Sequence, residues 1–388
     1  MLAQWTVADL QQTTTSVHKK NFAFLSSYNW SEQDLSNSTI IVPGCPSRWD
    51  PPPLPKAVRP DNGLVFVDQN AYRHPKIPLE PLLQALHITK PSFDLNKVQL
   101  ITDRNNLRKL FEAICGEKHR DFEIAVEIVN NTALFTRLER CTSEVIGSQE
   151  FRGYGHEFEK EFTKYPSSVK RSTSHHRIVT YNFGGLNMVV RFEADGALPP
   201  AMDPANITKA TPAKSSQQIL TDLPSMGLQD VLPPTTPTSS GLGIPTSASR
   251  LGVMKAGEPV PQDRILEIKT RVEHRAIGIP ECMSQLWFSD TRNLFIGLHN
   301  SGTFHTINKY QVDEGTISQW EKQHEKQLGQ LVDLLGKIIA TAKGSSCRTK
   351  VRGVKGKVIL EEWQAMHGPA VHLTKLPADL IALWSLNA

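Results

Sequence analysis

Apolar residues recur along this chain in two rhythms, and the switch between them marks out the elements. Strand-like runs of alternating or near-continuous apolar residues cover Leu64 to Asp68, Val98 to Ile101, Phe122 to Val129, Ala133 to Leu138, His176 to Phe183 and Leu186 to Phe192. Spacings of three and four predict helices at Leu79 to Leu86, over Leu107, Leu110, Phe111 and Ile114, and over Cys282 to Ser289. Turn chemistry joins neighbours. Asn130-Asn131 links one strand pair, Gly184-Gly185 hinges a hairpin, and His299-Asn300-Ser301-Gly302 closes Leu294 to Leu298 onto Thr303 to Tyr310. Asp103 is placed as an N-cap with Gly116 as the following C-terminal stop. Ser318 and Glu321 read as a capping box opening one long helix striped by Trp320, Leu328, Leu331, Leu335 and Ile338 and ending near Gly344. A short helix follows Phe151 and runs to about Lys164. Arg348 to Lys357 is a basic strand-like run, Leu376 to Trp384 an amphipathic tail, and no internal repeat is visible.

Two stretches break these rhythms. Residues 1–62 are polar and proline-marked, with Pro51-Pro52-Pro53 after Trp49, and predict an extended arm on the body with Ile40-Ile41-Val42 as a strand. Residues 197–262 hold eleven of the 26 prolines and no Phe, Trp or Tyr, too little apolar surface to offset the entropy of ordering. They are expected to be a disordered Pro/Ser/Thr-rich insertion. Residues 63–196 and 263–388 then form a single interrupted domain.

Composition narrows the class. With 39% hydrophobic residues among 388 there is material for a large core. A net charge of +4 argues against a protein that coats nucleic acid but allows a local basic groove. The five cysteines form no CxxC pair, and their odd number is no disulfide framework, so a reducing interior is expected and a zinc site is not. No signal peptide or membrane-spanning run is visible, which predicts a soluble intracellular protein of nucleus or cytoplasm, without contact with membranes.

The chemistry gathers at two acidic runs, Arg191-Phe192-Glu193-Ala194-Asp195 and Ile265-Leu266-Glu267-Ile268-Lys269. Alternation sends Glu193 and Asp195 to one face, and Glu267 and Lys269 to one face. If the strands are neighbours, three carboxylates and an ammonium converge. Like charges repel and are costly to desolvate, so a hard divalent cation is the simplest resident. Alone, the first run reads more simply as a solvated strand edge and the second as a cross-face salt pair. Together, in this order after apolar strands, they match the core pattern of the PD-(D/E)xK nucleases.

Other motifs sharpen the resemblance. Gly155-His156-Glu157-Phe158-Glu159 resembles the glycine–aromatic–glutamate motif of the eukaryotic decapping exoribonuclease (DXO-like) family. Asp103-Arg104-Asn105-Asn106-Leu107-Arg108-Lys109 is similar to that family's arginine motif. The Phe122–Glu139 stretch resembles the strand pair between them, and Met283-Ser284-Gln285-Leu286-Trp287 the glutamine motif. The motifs stand in the family's order over roughly residues 64–310. The long insertion and the proline-rich arm depart from the family and bear on substrate preference.

The resemblance implies an α/β (α+β) fold with a mixed, mostly antiparallel two-sheet core flanked by helices and a PD-(D/E)xK-like cleft. It implies Mg²⁺ or Mn²⁺, one or two ions, on Glu159, Glu193, Asp195, Glu267 and the carbonyl of Ile268. Lys269 and Gln285 would contact the scissile phosphate and Arg104 the 5′-terminal phosphate. The implied activity is hydrolysis at RNA 5′ ends, removing incomplete or nonstandard caps (triphosphate, unmethylated or NAD), with or without 5′→3′ degradation. A separate 5′→3′ exoribonuclease is the implied protein partner; oligomeric state is not indicated. Bland readings stand beside these: Arg104 paired with Asp103 or Glu112, Gln285 as an exposed helix residue, and His175-His176 as strand neighbours facing opposite ways. Two rival functions remain, a non-catalytic RNA-binding scaffold assisting an exonuclease and a DNA nuclease of the same superfamily.

Overall fold

Two mixed sheets and the helices packed between and over them build the fold. The computed structural model describes residues 1–11, 17–32, 38–116, 121–204, 207, 251–275, 278–363 and 373–385. Residues 1–210 and 251–388 make one compact unit; residues 211–250, the other unit, lie outside the described residues.

The larger sheet has eleven strands. Its middle is parallel, with Leu100–Asp103 between Thr132–Leu138 and Leu186–Glu193. Beyond them lie antiparallel neighbours, Phe122–Val129 on one side, and Ser172–Phe183 then Lys19–Ser31 on the other. The smaller sheet has seven strands centred on Ile265–Val272, parallel to Asn293–Asn300, which pairs antiparallel with Thr303–Gln311. This is the mixed, mostly antiparallel two-sheet α+β architecture expected.

Alternation sorts the side chains. Val190 and Phe135 face the core shared with helices Arg104–Cys115, Ile279–Ser289 and Glu325–Lys343; Val189 and Leu134 face the opposite core under helix Glu80–Thr89. In the smaller sheet Ile265 joins the first core, while Leu266 and Ile268 pack with Trp49, Phe158, Phe162, Phe295 and Phe304.

Several expectations need correction. Residues 1–62 are no peripheral arm: Lys19–Ser31 and Thr39–Gly44 are inner strands of the larger sheet, and Arg48–Trp49 lies inside the smaller one. The reason is burial, since Tyr28, Trp30 and Trp49 are all enclosed. The described ends of the 197–262 stretch are ordered. Gly196–Ala197 pairs with Ile265–Val272, and Gly252–Gly257 adds a parallel strand beside Thr39–Gly44. The expected disorder of residues 208–250 lies outside the described residues. The long C-terminal helix is two, Glu314–Gln323 and Glu325–Lys343. The first is capped by Asp313, which accepts from the Thr316 N–H at 2.8 Å, so Ser318 and Glu321 sit inside it rather than opening it. Within the basic strand-like run, Lys350 is buried and paired with Glu123 at 2.8 Å.

Candidate active site

The two acidic runs lie in different sheets and meet where the chain crosses between them. Leu186–Glu193 ends in the larger sheet, and three residues later Gly196 pairs with Leu266 in the smaller one. That crossing sets Asp195 beside the second run, where its Oδ2 accepts from the Ile268 N–H at 2.8 Å. The expected convergence therefore occurs, through a sheet-to-sheet step rather than by strands side by side. A strand residue's N–H and C=O leave the same edge, so the Ile268 carbonyl lies on the Asp195 side.

Glu267 is the hub. It is 1% exposed, and its carboxylate accepts from Lys269 Nζ, Gln285 Nε2 and, at 3.2 Å, Arg104 Nη1. Lys269 also stands 3.7 Å from Asp195 Oδ2. Arg104 opens helix Arg104–Cys115 and is held further by Ser289 Oγ at 3.2 Å, the Glu193 carbonyl at 3.4 Å and the face of Phe192. Gln285 is steadied by Arg108 Nη1 at 3.4 Å. Glu159 projects from helix Gly155–Phe162, whose N-terminus is capped by a distant residue. Asp61, buried, accepts from the Glu157 N–H at 2.9 Å, and its own N–H donates to the Gly153 carbonyl at 2.9 Å.

Charge is unevenly settled here. Burial pushes Glu267 upward, but Lys269 and Arg104 outweigh it and hold the carboxyl down to about 2. Burial and the charge of Glu267 lift Asp195 to about 7 against the pull of Lys269. Burial and Asp195 raise Glu159 well above the ordinary range. The protein crowded around Glu193 displaces enough water to lift it to about 7, although its side chain keeps an open edge to solvent. Burial opposes protonation of Lys269, yet Glu267 and Asp195 raise its proton affinity above the ordinary lysine value.

These observations test whether a cation fits. The carboxylates of Glu159 and Glu193 have no hydrogen-bond or ion-pair partner among the described residues, an arrangement a hard cation would relieve. All the donors are oxygens, which suits Mg²⁺, Mn²⁺ or Ca²⁺ over zinc. The donor chemistry fits. The present rotamers do not yet form a cage: among the described residues no group of three His, Cys, Asp or Glu side chains is set to hold an ion.

All eight expected site residues thus fall in one neighbourhood, though Arg104 and Gln285 face Glu267 rather than open cleft. His175 and His176 are buried within the sheet, His175 Nδ1 donating to Asn29 Oδ1 at 2.7 Å. The supporting roles of Asp61 and of the Asp103–Arg191 pair escaped sequence reasoning. Asp61 acts on a helix 96 positions away, and nothing in Pro60-Asp61-Asn62 marks it. Asp103 occupies the expected N-cap position but makes no cap. Its carboxylate instead takes Arg191 from the neighbouring strand, at 2.6 and 3.0 Å.

Fold and site together define a two-sheet α+β protein with a lysine–carboxylate cluster at the sheet junction. The chain belongs to the family described as domain of unknown function DUF8563, whose family model matches residues 4–355. No curated protein matches the sequence. Among solved structures it is similar to Scheffersomyces stipitis Rai1 in complex with 3′-NADP⁺ and a calcium ion, at TM-score 0.58 and 11% identity, covering 99% of each chain. S. pombe Rai1 in complex with 3′-FADP matches at TM-score 0.56 and 14% identity, over 94% of this chain and 100% of that one. K. lactis Dxo1 in complex with manganese matches at TM-score 0.51 and 10% identity, over 93% and 98%. At this identity the likeness is one of fold, and at that level it bears out the resemblance to the DXO-like family. Among the described residues no helix is long and apolar enough to cross a membrane.

Proposed function

We propose that this chain is a divalent-metal-dependent hydrolase acting on phosphate linkages at RNA 5′ ends, removing triphosphate, unmethylated or NAD-type caps. The observation that carries the reading is the pair of carboxylates without a partner among the described residues, Glu159 and Glu193, beside Asp195, Glu267 and Lys269. Support comes from the structural neighbours: Candida albicans Rai1 is described with pU5 and Mn²⁺, and S. stipitis Rai1 with a nicotinamide dinucleotide and calcium.

Glu159, Glu193, Asp195, Glu267 and the Ile268 carbonyl would hold one or two ions. A bound ion would supply Lewis-acid polarisation of a phosphoryl oxygen and ready deprotonation of water. The chain's own groups do the rest. Lys269 is kept cationic by Glu267 and Asp195, so it can neutralise charge developing on a phosphate oxygen. Gln285 offers an amide donor beside it, braced by Arg108. Arg104, paired with Glu267 at 3.2 Å in this structure, adds a planar fork suited to a terminal phosphate.

A second reading has its own observation. Glu267 is already satisfied by three internal donors, as expected of a non-catalytic RNA-binding protein that assists a separate 5′→3′ exoribonuclease. One assay separates the two. Purified protein is incubated with 5′-labelled RNAs bearing monophosphate, triphosphate, unmethylated-cap, methylated-cap or NAD ends, with Mn²⁺ or EDTA. Metal-dependent release abolished by Asp195→Ala and by Glu267→Ala is the expected result, and the most reactive end names the substrate. RNA binding without release from any end would overturn the hydrolase in favour of the scaffold.

A further inference from the structure

Three parallel strands of the larger sheet end side by side next to the site. In register, Asp103 of the middle strand lies opposite Arg191 on one neighbour, and Thr102 opposite Phe135 on the other. The middle strand stops at Asp103 and turns into helix Arg104–Cys115, while its neighbours continue to Glu193 and to Leu138. Arg137 and Glu193 therefore flank the start of that helix from opposite sides, with Arg104 between them. In open parallel α/β sheets ligands seat outside the carboxyl ends of the strands, and the three parallel strands here offer the same kind of edge.

The two arginines differ in what they have left to offer. Arg104 spends its terminal amino groups on Glu267, Ser289 and the Glu193 carbonyl. Arg137 is fastened only by its inner edge. Its Nε donates to Glu139 Oε1 at 2.5 Å, and Lys109 reaches the same oxygen at 2.5 Å. Neither terminal amino group of Arg137 has a partner among the described residues, and the side chain keeps 18% of its surface exposed. Glu139 thus orients a fork whose outer edge makes no hydrogen bond among the described residues, and the positive charge of Arg137 acts on both Asp68 and Glu193.

We propose that Arg137 is an anion-binding residue for the terminal phosphate groups of an RNA 5′ end, making the protein prefer phosphorylated over hydroxyl ends. The inference rests on reading the site as one for RNA 5′ ends. A guanidinium held along one edge is pre-organised for two parallel hydrogen bonds to phosphate oxygens, which a lysine in its place cannot reproduce. A purely structural Arg137 would only balance Glu139 and the buried Asp68.

The test is equilibrium binding of the full chain, in EDTA so that no hydrolysis intervenes. Three 3′-fluorescein RNAs of one sequence carry a 5′ triphosphate, monophosphate or hydroxyl, and anisotropy gives each Kd. Wild type is expected to bind the phosphorylated ends more tightly. Arg137→Gln should weaken those by about tenfold or more, the effect of a charge-assisted pair, and leave the hydroxyl RNA within about twofold. Arg137→Lys should recover only part of the difference, and it decides the matter if the glutamine variant fails to fold. Equal weakening on all three ends, an unchanged preference in both variants, or no preference in wild type would overturn the assignment. The two readings fail separately. Intact hydrolysis with the phosphate preference surviving Arg137→Gln removes only this inference. A preference lost on substitution in a protein that hydrolyses nothing removes only the hydrolase.

Discussion

Replacing Asp103 with asparagine should cost far more stability than its place at a helix start suggests. Arg191 is fully buried, and Asp103 grips it with two oxygens, Nε at 2.6 Å and Nη2 at 3.0 Å. The remaining donor, Nη1, goes to Tyr28 Oη at 3.1 Å and the Pro78 carbonyl at 2.7 Å, neither of which carries a charge. Unit charges about 3 Å apart at an effective dielectric near 20 attract by roughly 5 kcal/mol. Asparagine keeps one acceptor and returns about 1 kcal/mol of hydrogen bonding. The expected loss for Asp103→Asn is therefore about 3–5 kcal/mol, because the guanidinium stays buried without its counter-charge. Urea unfolding monitored by tryptophan fluorescence measures it, and a shifted midpoint with unchanged slope marks a stability effect. Arg191→Met combined with Asp103→Leu should lie within about 1–2 kcal/mol of wild type, since the paired removal leaves no orphan charge. A single-variant cost below about 1 kcal/mol, or additive losses in the cycle, would refute the argument. The pair also has a local consequence. Asp103 precedes Arg104, and Arg191 stands two residues before Glu193, so loosening it should lower activity beyond the fraction unfolded.

Three further outcomes follow from the same contacts. Asp61→Ala uncaps the helix that carries Glu159 and should cost about 1 kcal/mol in unfolding while weakening Mn²⁺ binding in calorimetry; unaltered metal affinity would separate the cap from the site. A Cβ on Gly297 would lie 2.6 Å from Phe158 Cζ, so Gly297→Ala should destabilise by about 1–3 kcal/mol, read as a lowered melting temperature. His175 is buried, with Nε2 unpartnered, and burial together with Arg177 holds its proton affinity well below the ordinary histidine value. The unfolded chain takes up that proton first. The stability due to neutral His175 is therefore complete above pH 6.5 and falls by about 1.4 kcal/mol for each unit below it, until the folded residue itself protonates. His175→Asn should remove this share of the slope and leave the share of His176, whose proton affinity burial also depresses, and an unchanged slope would contradict it.

How much of this was legible depended on whether a residue's partner was near in sequence. Phe122 to Val129, Ala133 to Leu138 and the Gly184-Gly185 hairpin were readable because apolar pattern and turn chemistry agree locally. The Lys19–Ser31 strand was not. Ser26, Ser27, Asn29 and Ser31 are all buried in it, and their polarity hides the strand. They are tolerated because distant groups satisfy them: Ser26 donates to the Ala85 carbonyl at 2.9 Å, and Asn29 exchanges hydrogen bonds with the Cys45 backbone at 2.8 and 2.9 Å. Ser318 and Glu321 misled in the opposite way. A capping spacing recurs by chance inside helices, and only Asp313 has the geometry of a cap. The acidic residues of the site were visible as types and in order. Their meeting across two sheets was not, because alternation describes one strand and says nothing of a chain that changes sheet between Glu193 and Gly196.

That crossing also explains why the site can hold so much negative charge without unfolding. Were the carboxylates on adjacent strands of one sheet, each would face another directly across the ladder, a destabilising pairing. Here they arrive on four supports: Glu159 from a helix, Glu193 from a strand end of the larger sheet, Asp195 from the link, and Glu267 from the centre of the smaller sheet. Of the four, Glu267 is the deeply enclosed one, and among the described residues it has the fullest set of positive or polar donors. Burial is the larger cause of the raised proton affinities of Glu159 and Asp195, and neighbouring carboxylates add to it, Asp195 acting on Glu159 and Glu267 on Asp195. The fold thus fixes one anion firmly and leaves its neighbours under electrostatic strain, which an incoming cation can relieve without opening either core.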